Sequence, residues 1–214
     1  MLIYIIRHGE TDANKEGIMQ GWLDKPLNSS GIKLAELTGQ AMKGIKFDYC
    51  ITSPLKRAYD TVKIVLNESG NKDVEITVDD RIKEYHFGEG EGKRLNCGLI
   101  PKEEADKFFT DIFNFPGFPG GESITGLCER TQAFLRELCE RDDDRTYLIG
   151  IHGCAVRAML NFLYEDPSDF WHGHVPYNCA VNIIEASGGN IKLIADDKVC
   201  YDKKYIVDRY SKEY

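Results

Sequence analysis

No apolar run in this chain is long enough to cross a bilayer, no two cysteines stand in a CxxC spacing, and basic residues are outnumbered by acidic ones. Each absence removes a class of function. A membrane-spanning helix needs about 20 consecutive apolar residues, and the apolar opening at 1–6 is interrupted by Arg7 and His8. That opening also lacks the basic region that precedes the core of a secretory leader, so a cytoplasmic protein is expected. Seven cysteines, at 50, 97, 128, 139, 154, 179 and 200, are odd in number and widely spaced. They read as buried free thiols of a reducing compartment, not as a disulfide framework or a zinc site. A formal net charge of −8 speaks against nucleic acid and against anionic membrane surfaces as partners. A small anionic substrate is still allowed, because a pocket can gather the few arginines that matter.

What is present is an ordinary globular composition and an alternation of strand and helix. The 214 residues suit one domain with its own core, expected to span 1–214. Residues 2–7 read as an apolar strand. A helix capped by Asn28, Ser29 or Ser30 follows, with Ile32, Ala35, Met42 and Ile45 near the helical period. "FDYCIT" (47–52) reads as a second strand and "SPLKRAYDTVKIVL" as a helix, with Ser53 as N-cap and Pro54 in its first position. "VEITV" (74–78) is a third strand. From about 85 to 121 the pattern is irregular around a short helix near 101–113, and this stretch is expected to lie over one end of the domain as a lid. A long helix at 123–140 buries Ile124, Leu127, Thr131, Phe134, Leu135 and Leu138. "TYLIGI" (146–151) is a buried strand running straight into a helix from "HGCAVRAMLNFLY", and strands near 179–186 and 190–196 form a hairpin through "SGGN". Strands interleaved with helices imply a largely parallel sheet covered on both faces. The segment 201–214 reads as a C-terminal surface tail.

In such sheets, sites gather where strands end and helices begin. Three strands here end in polar groups of one character: Arg7 and His8 after the first, Ser53 through Arg57 after the second, and His152 with Gly153 after the strand at 146–151. Two arginines and two histidines would converge there with helix N-termini, which makes an anion site.

"RHGET" with Asn14 downstream, "QGWLDKPLNSSG" (20–31), "SPLKRAYDT" (53–61), "RIKEYHFGEGEG" (81–92) and "IHG" (151–153) resemble, in order, the motifs of the histidine phosphatase superfamily, the phosphoglycerate-mutase-like proteins. The resemblance covers residues 3 to about 185. It implies a three-layer α/β/α sandwich with a mostly parallel sheet, and no metal or other cofactor. It further implies that His8 is the nucleophile that takes the phosphoryl group. Arg7, Arg57 and His152 would hold the phosphate oxygens, assisted by Asn14 and by the N–H of Gly153 or Cys154. Glu84 would protonate the leaving oxygen, and Gln20 and Gly21 would border the pocket. The chemistry suits these residue types. Neutral imidazole offers a lone pair near neutrality, since its ordinary pKa is ~6.5, and planar arginine forks neutralise the oxygens of a transferring phosphoryl group.

Phosphatase and mutase chemistry share His8 and differ in the next acceptor. A mutase needs extra cations for a second phosphate. Here 67 residues separate Glu84 from His152, and the basic residues within 93–121 are Lys93, Arg94, Lys102 and Lys107, two of them beside Glu103, Glu104 and Asp106. The expectation is therefore a phosphomonoesterase acting on a small phosphorylated metabolite. Phosphoglycerate mutase is the alternative, and a non-catalytic phosphate-binding or regulatory protein the third reading. A metal-dependent hydrolase built on His172 and His174 ranks last, for want of a third ligand block. An exposed edge strand leaves room for a homodimer.

Overall fold

The computed structural model describes residues 1–206. Among them, six strands form one mixed sheet: β1 (Leu2–Arg7), β2 (Tyr49–Thr52), β3 (Ile76–Val78), β4 (Thr146–Ile151), β5 (Val181–Ser187) and β6 (Asn190–Lys198). Their order is β3-β2-β4-β1-β5-β6. β1, β4, β2 and β3 pair in parallel, and β5 and β6 add an antiparallel hairpin beside β1. The helices are α1 (Asp12–Glu16), α2 (Ser29–Ala41), α3 (Lys56–Ser69), α4 (Lys102–Thr110), α5 (Ile124–Cys139) and α6 (Gly153–Leu160). No helix among the described residues is long and apolar enough to cross a membrane.

The strand period of two builds three layers. Ile3 and Ile5 of β1, with Tyr147, Ile149 and Ile151 of β4, face one core with Leu127, Phe134, Leu135 and Leu138 of α5 and Val156 and Met159 of α6. Ile6 and Leu148 face the opposite core, with Leu34 and Ala35 of α2 and Val62, Val65 and Leu66 of α3. Strands buried on both faces read as uninterrupted apolar runs, which is why 2–7 and 146–151 stood out in the sequence.

The segment from 85 to 121 is tied down by aromatic packing. Tyr85, Phe87, Phe108, Ile112, Phe115 and Phe118 belong to the α5–α6 core. The Phe108 ring meets Phe115 at 5.3 Å and Trp171 at 5.4 Å between centroids, and Trp171 Nε1 donates to the Phe108 carbonyl (2.8 Å).

Two features differ from the sequence reading. α3 starts at Lys56 with Leu55 at its N-cap and no side-chain cap, so Ser53 is not the cap; its hydroxyl is engaged in the site described below. α1 was not foreseen, because its five residues carry no apolar period; its capping box, in which Thr11 and Asn14 satisfy each other's backbone N–H, was the available signal. Residues 207–214 of the expected tail lie outside the described residues.

Candidate active site

β2, β4 and β1 are adjacent and parallel, so their carboxyl ends open on one edge of the sheet. The residues that follow them are Ser53, His152 and His8, and Arg7 is the last residue of β1. The His8 and His152 rings lie 5.2 Å apart between centroids.

His8 is almost fully buried. Its Nδ1 lies 2.7 Å from the Gly9 carbonyl. A carbonyl only accepts, so Nδ1 carries the proton and Nε2 keeps the lone pair. Arg57 Nε donates to that Nε2 at 3.3 Å. Burial, then the Arg57 charge, then that of Arg7 hold the His8 pKa well below the ordinary imidazole value, against a smaller opposing effect of the Gly9 carbonyl. The ring is therefore neutral, with its lone pair on the nitrogen beside Arg57.

Gly9 serves packing more than ligand approach. A Cβ built there would come within 2.6 Å of the Gly31 carbonyl oxygen, and one on Gly31 within 2.1 Å of the Glu10 carbonyl oxygen. The loop after β1 is thus pressed backbone to backbone against the first turn of α2. Its position is locked by Gly9 N–H donating to Thr61 Oγ1 (2.9 Å) and by Thr61 donating to the Arg57 carbonyl (2.7 Å). The loop after β1 and the helix that carries Arg57 are therefore one unit.

Arg57 is fully buried. Besides His8 it donates to the carbonyls of Gly21 (2.7 Å) and Leu23 (3.0 Å), and burial lowers its pKa to about 10, which leaves it charged at neutral pH. Arg7 donates to the Pro176 carbonyl, while its Nε is buried without a hydrogen-bond partner among the described residues. His152 is in the same condition: Nε2 meets Ser53 Oγ at 2.8 Å and Nδ1 has no partner. Ser53 accepts the Leu55 N–H (3.3 Å); when it donates its hydroxyl hydrogen to Nε2, the His152 proton sits on Nδ1. Burial, Arg57 and His8 hold the His152 pKa well below the ordinary value.

Glu84 lies across the start of α6. Its Oε1 accepts the N–H groups of Tyr85 (2.9 Å) and Ala155 (3.0 Å), and its Oε2 accepts that of Cys154 (3.2 Å). The Cys154 N–H is therefore committed to Glu84 and not to a phosphate, whereas Gly153 lies next to the Arg7 guanidinium; both residues line the pocket. A cavity of about 510 Å³ is lined by Arg7, His8, Arg57, Glu84, Gly153, Asn14, Gln20 and Gly21; His152, fully buried, does not line it and stands behind the His8 ring. Gln20 is buried, and its Oε1 accepts the Thr11 hydroxyl (2.9 Å). Asn14 Oδ1 accepts the Thr11 N–H (3.1 Å). Gly21 has a left-handed backbone (φ +50°), and a Cβ there would sit 2.4 Å from Glu91 Oε1.

The profile of the histidine phosphatase superfamily (branch 1) matches residues 3–196. The chain belongs to this superfamily. It is 34% identical over 181 residues to the uncharacterized phosphatase PhoE of Bacillus subtilis, covering 85% of this chain and 86% of that one. It is 31% identical over 176 residues to a 2,3-bisphosphoglycerate-dependent phosphoglycerate mutase of Cytophaga hutchinsonii, covering 80% and 81%. Among solved structures, YhfR of Bacillus stearothermophilus superposes with a TM-score of 0.85 at 28% identity, covering 92% of this chain and 97% of that one.

Within this member of the superfamily, some residues weighed in the sequence stand apart from the cavity, and others support it. His172 stacks on Tyr164 (3.7 Å between centroids), and His174 pairs with Asp197; neither lines the cavity. Among the described residues, no three His, Cys, Asp or Glu side chains are grouped so as to hold a metal ion. Of the basic residues between 93 and 121, Lys102 pairs with Asp106 and Lys107 with Glu104, Lys93 donates to the Glu89 carbonyl, and Arg94 reaches the cavity. Ser53 was read in the sequence as a helix cap, and Thr61, Pro176 and Arg130 were not singled out there. Their contributions are a hydroxyl, a hydroxyl, a carbonyl and a set of backbone contacts, which no spacing pattern announces.

Proposed function

We propose that this chain is a phosphomonoesterase that works through phosphorylated His8 without a metal ion. The observation that carries the reading is the imidazole held neutral, with Nδ1–H fixed on the Gly9 carbonyl and Nε2 aimed into a buried cationic cup. The substrate phosphate accepts from Arg57, from the Arg7 Nε–H, from His152 Nδ1–H and from the Gly153 N–H. Unpaired buried donors each cost about 1–3 kcal/mol, so an anion that pairs with them is bound strongly. His8 Nε2 attacks phosphorus in line, and the P–O bond to the leaving group breaks. Of the two Glu84 oxygens, Oε1 already has two donors and Oε2 has one, at the longest of the three distances. Oε2 is therefore the oxygen better placed to pass a proton to the leaving oxygen. Glu84 then takes a proton from water, the resulting hydroxide attacks the phosphohistidine, and inorganic phosphate leaves as His8 returns to its neutral state.

Phosphoglycerate mutase is the second reading, favoured by relatives with that name at about a third identity. Against it stands the cavity wall: Phe87, Phe108, Phe109, Trp171 and Leu95 line it, and Arg94 and Lys15 are the cations there beyond the arginines of the cup. Brief exposure to a labelled phosphomonoester, followed by denaturation, leaves acid-labile label on the wild type and none on His8→Ala. Equal label on both refutes the nucleophile. Turnover with release of inorganic phosphate, unchanged by EDTA, separates a metal-independent hydrolase from a mutase that needs 2,3-bisphosphoglycerate to cycle.

A further inference from the structure

Glu84 lies in a stretch, 83–87, that belongs to no helix or strand, so nothing in the sheet fixes where its carboxyl group sits. Its backbone carbonyls must find donors elsewhere. Backbone N–H groups of Glu122 and Gly90 meet the carbonyls of His86 and Phe87, and one side chain meets those on either side of the Glu84 N–H. Arg130, from the middle of α5, donates through Nη1 to the carbonyls of Arg81 and Lys83 (both 2.7 Å) and through Nη2 to that of Glu84 (2.9 Å). Its remaining donors grip Glu122, Nη2 to Oε1 at 2.6 Å and Nε to Oε2 at 3.0 Å. Glu122 in turn accepts the N–H of His86 (2.8 Å) and donates its own N–H to the His86 carbonyl (3.0 Å). A second donor, Trp22 Nε1, reaches the Glu84 carbonyl from the opposite loop at 2.9 Å. Ile82 and Tyr85, both fully buried, pin the two flanks.

We propose that Arg130 is the positioning residue for the leaving-group acid, with Trp22 as its auxiliary. All five guanidinium N–H groups are committed, three of them to carbonyls of residues 81–84, so the rigid planar fork sets the height of the Glu84 backbone over α6. Its Oε2 is thereby held at the mouth of the cup. A lysine has the same charge but no fork and cannot span three carbonyls and a carboxylate. This inference rests on Glu84 being the acid proposed above, and it goes further by naming what places that acid.

The test compares an alkyl phosphate, glycerol 3-phosphate, with an aryl phosphate, 4-nitrophenyl phosphate, whose leaving group needs little protonation. In Arg130→Lys, kcat for the alkyl ester falls by about 10- to 100-fold, the cost of misplacing a reacting group by about an ångström. The aryl ester loses less than ~3-fold, and inhibition by inorganic phosphate is unchanged. Equal losses on both esters assign Arg130 a merely structural role and overturn the proposal, as does an unchanged enzyme. Should Arg130→Lys fail to fold, Trp22→Phe, which removes one donor to the Glu84 carbonyl and keeps an aromatic ring, must show the same selective loss at smaller size. Its absence overturns the proposal equally. Glu84→Gln is the control: if it shows no alkyl-to-aryl selectivity, the acid assignment itself has failed; if it does and the other variants do not, only the positioning role has.

Discussion

Two neutral histidines buried beside two arginines make this fold sensitive to acid in a way that can be worked out. The perturbation is a fall in pH from about 7.5 to about 5.5. His8 and His152 both have pKa values held well below the ordinary range by burial first and neighbouring positive charge second. In the unfolded chain both titrate near ~6.5. The unfolded state thus binds more protons, and stability rises with pH: the contribution is complete above the unfolded pKa and drains away as the pH drops below it. Over this interval each histidine that stays neutral in the fold costs about 1.4 kcal/mol, and the pair about 2.7 kcal/mol. With a urea dependence of ~2 kcal/mol per molar, the midpoint falls by about 1.3 M from this source. The assay is urea unfolding followed by fluorescence in buffers free of phosphate and sulfate, since a bound anion would add its own stabilisation. Wild type is compared with His8→Asn, His152→Asn and the double variant. The double variant should lose about 2.7 kcal/mol less than wild type over the same interval, and each single variant should recover about half of that difference. A double variant that tracks the wild type would refute the claim that these imidazoles stay neutral in the fold.

Gly31→Ala places a methyl where the Glu10 carbonyl stands 2.1 Å away. It should lower stability by about 1–3 kcal/mol and shift the loop that carries His8, read as a lower melting temperature with a reduced kcat. Phe109→Ala removes part of the aromatic wall of the cavity. It should raise KM for naphthyl phosphate by about 10-fold while leaving KM for glycerol 3-phosphate nearly unchanged; an equal rise for both would place the leaving group elsewhere.

The elements most legible in the sequence were those whose burial follows a simple period. β1 and β4 were plain as apolar runs because both faces are covered, and α5 because Ile124, Leu127, Thr131, Phe134, Leu135 and Leu138 all face the core. The convergence of Arg7, His8, Arg57 and His152 was legible because each stands within a few residues of a strand end, so that topology alone brings them together. What was not legible depends on main-chain atoms. Ser53 looked like a helix cap, since Ser-Pro before a helix is the usual sequence for one; in the fold its hydroxyl lies between the Leu55 N–H and His152 Nε2, and the helix starts at Lys56. The reason for glycine at position 9 was similarly hidden, because Gly31, its neighbour in space, is 22 residues away in the chain. Arg130 looked like any polar residue on a helix, and only the carbonyls of a distant irregular stretch give it a task.

The join between β4 and α6 has a consequence for how this protein can vary in length. The strand ends at Ile151, the helix begins at Gly153, and the single residue between them is His152. Hinge and functional group are one and the same, with no slack to absorb an extra residue. An insertion there would carry the imidazole along by a strand step of ~3.3 Å, against the ~0.5 Å that a working site tolerates. It would also slide the N–H groups of Cys154 and Ala155 off the Glu84 carboxyl. Additions and deletions that keep this site intact are therefore to be sought far from the joint, in the exposed turn at Gly188 and Gly189 between β5 and β6, which lies at the amino end of β1, opposite the site.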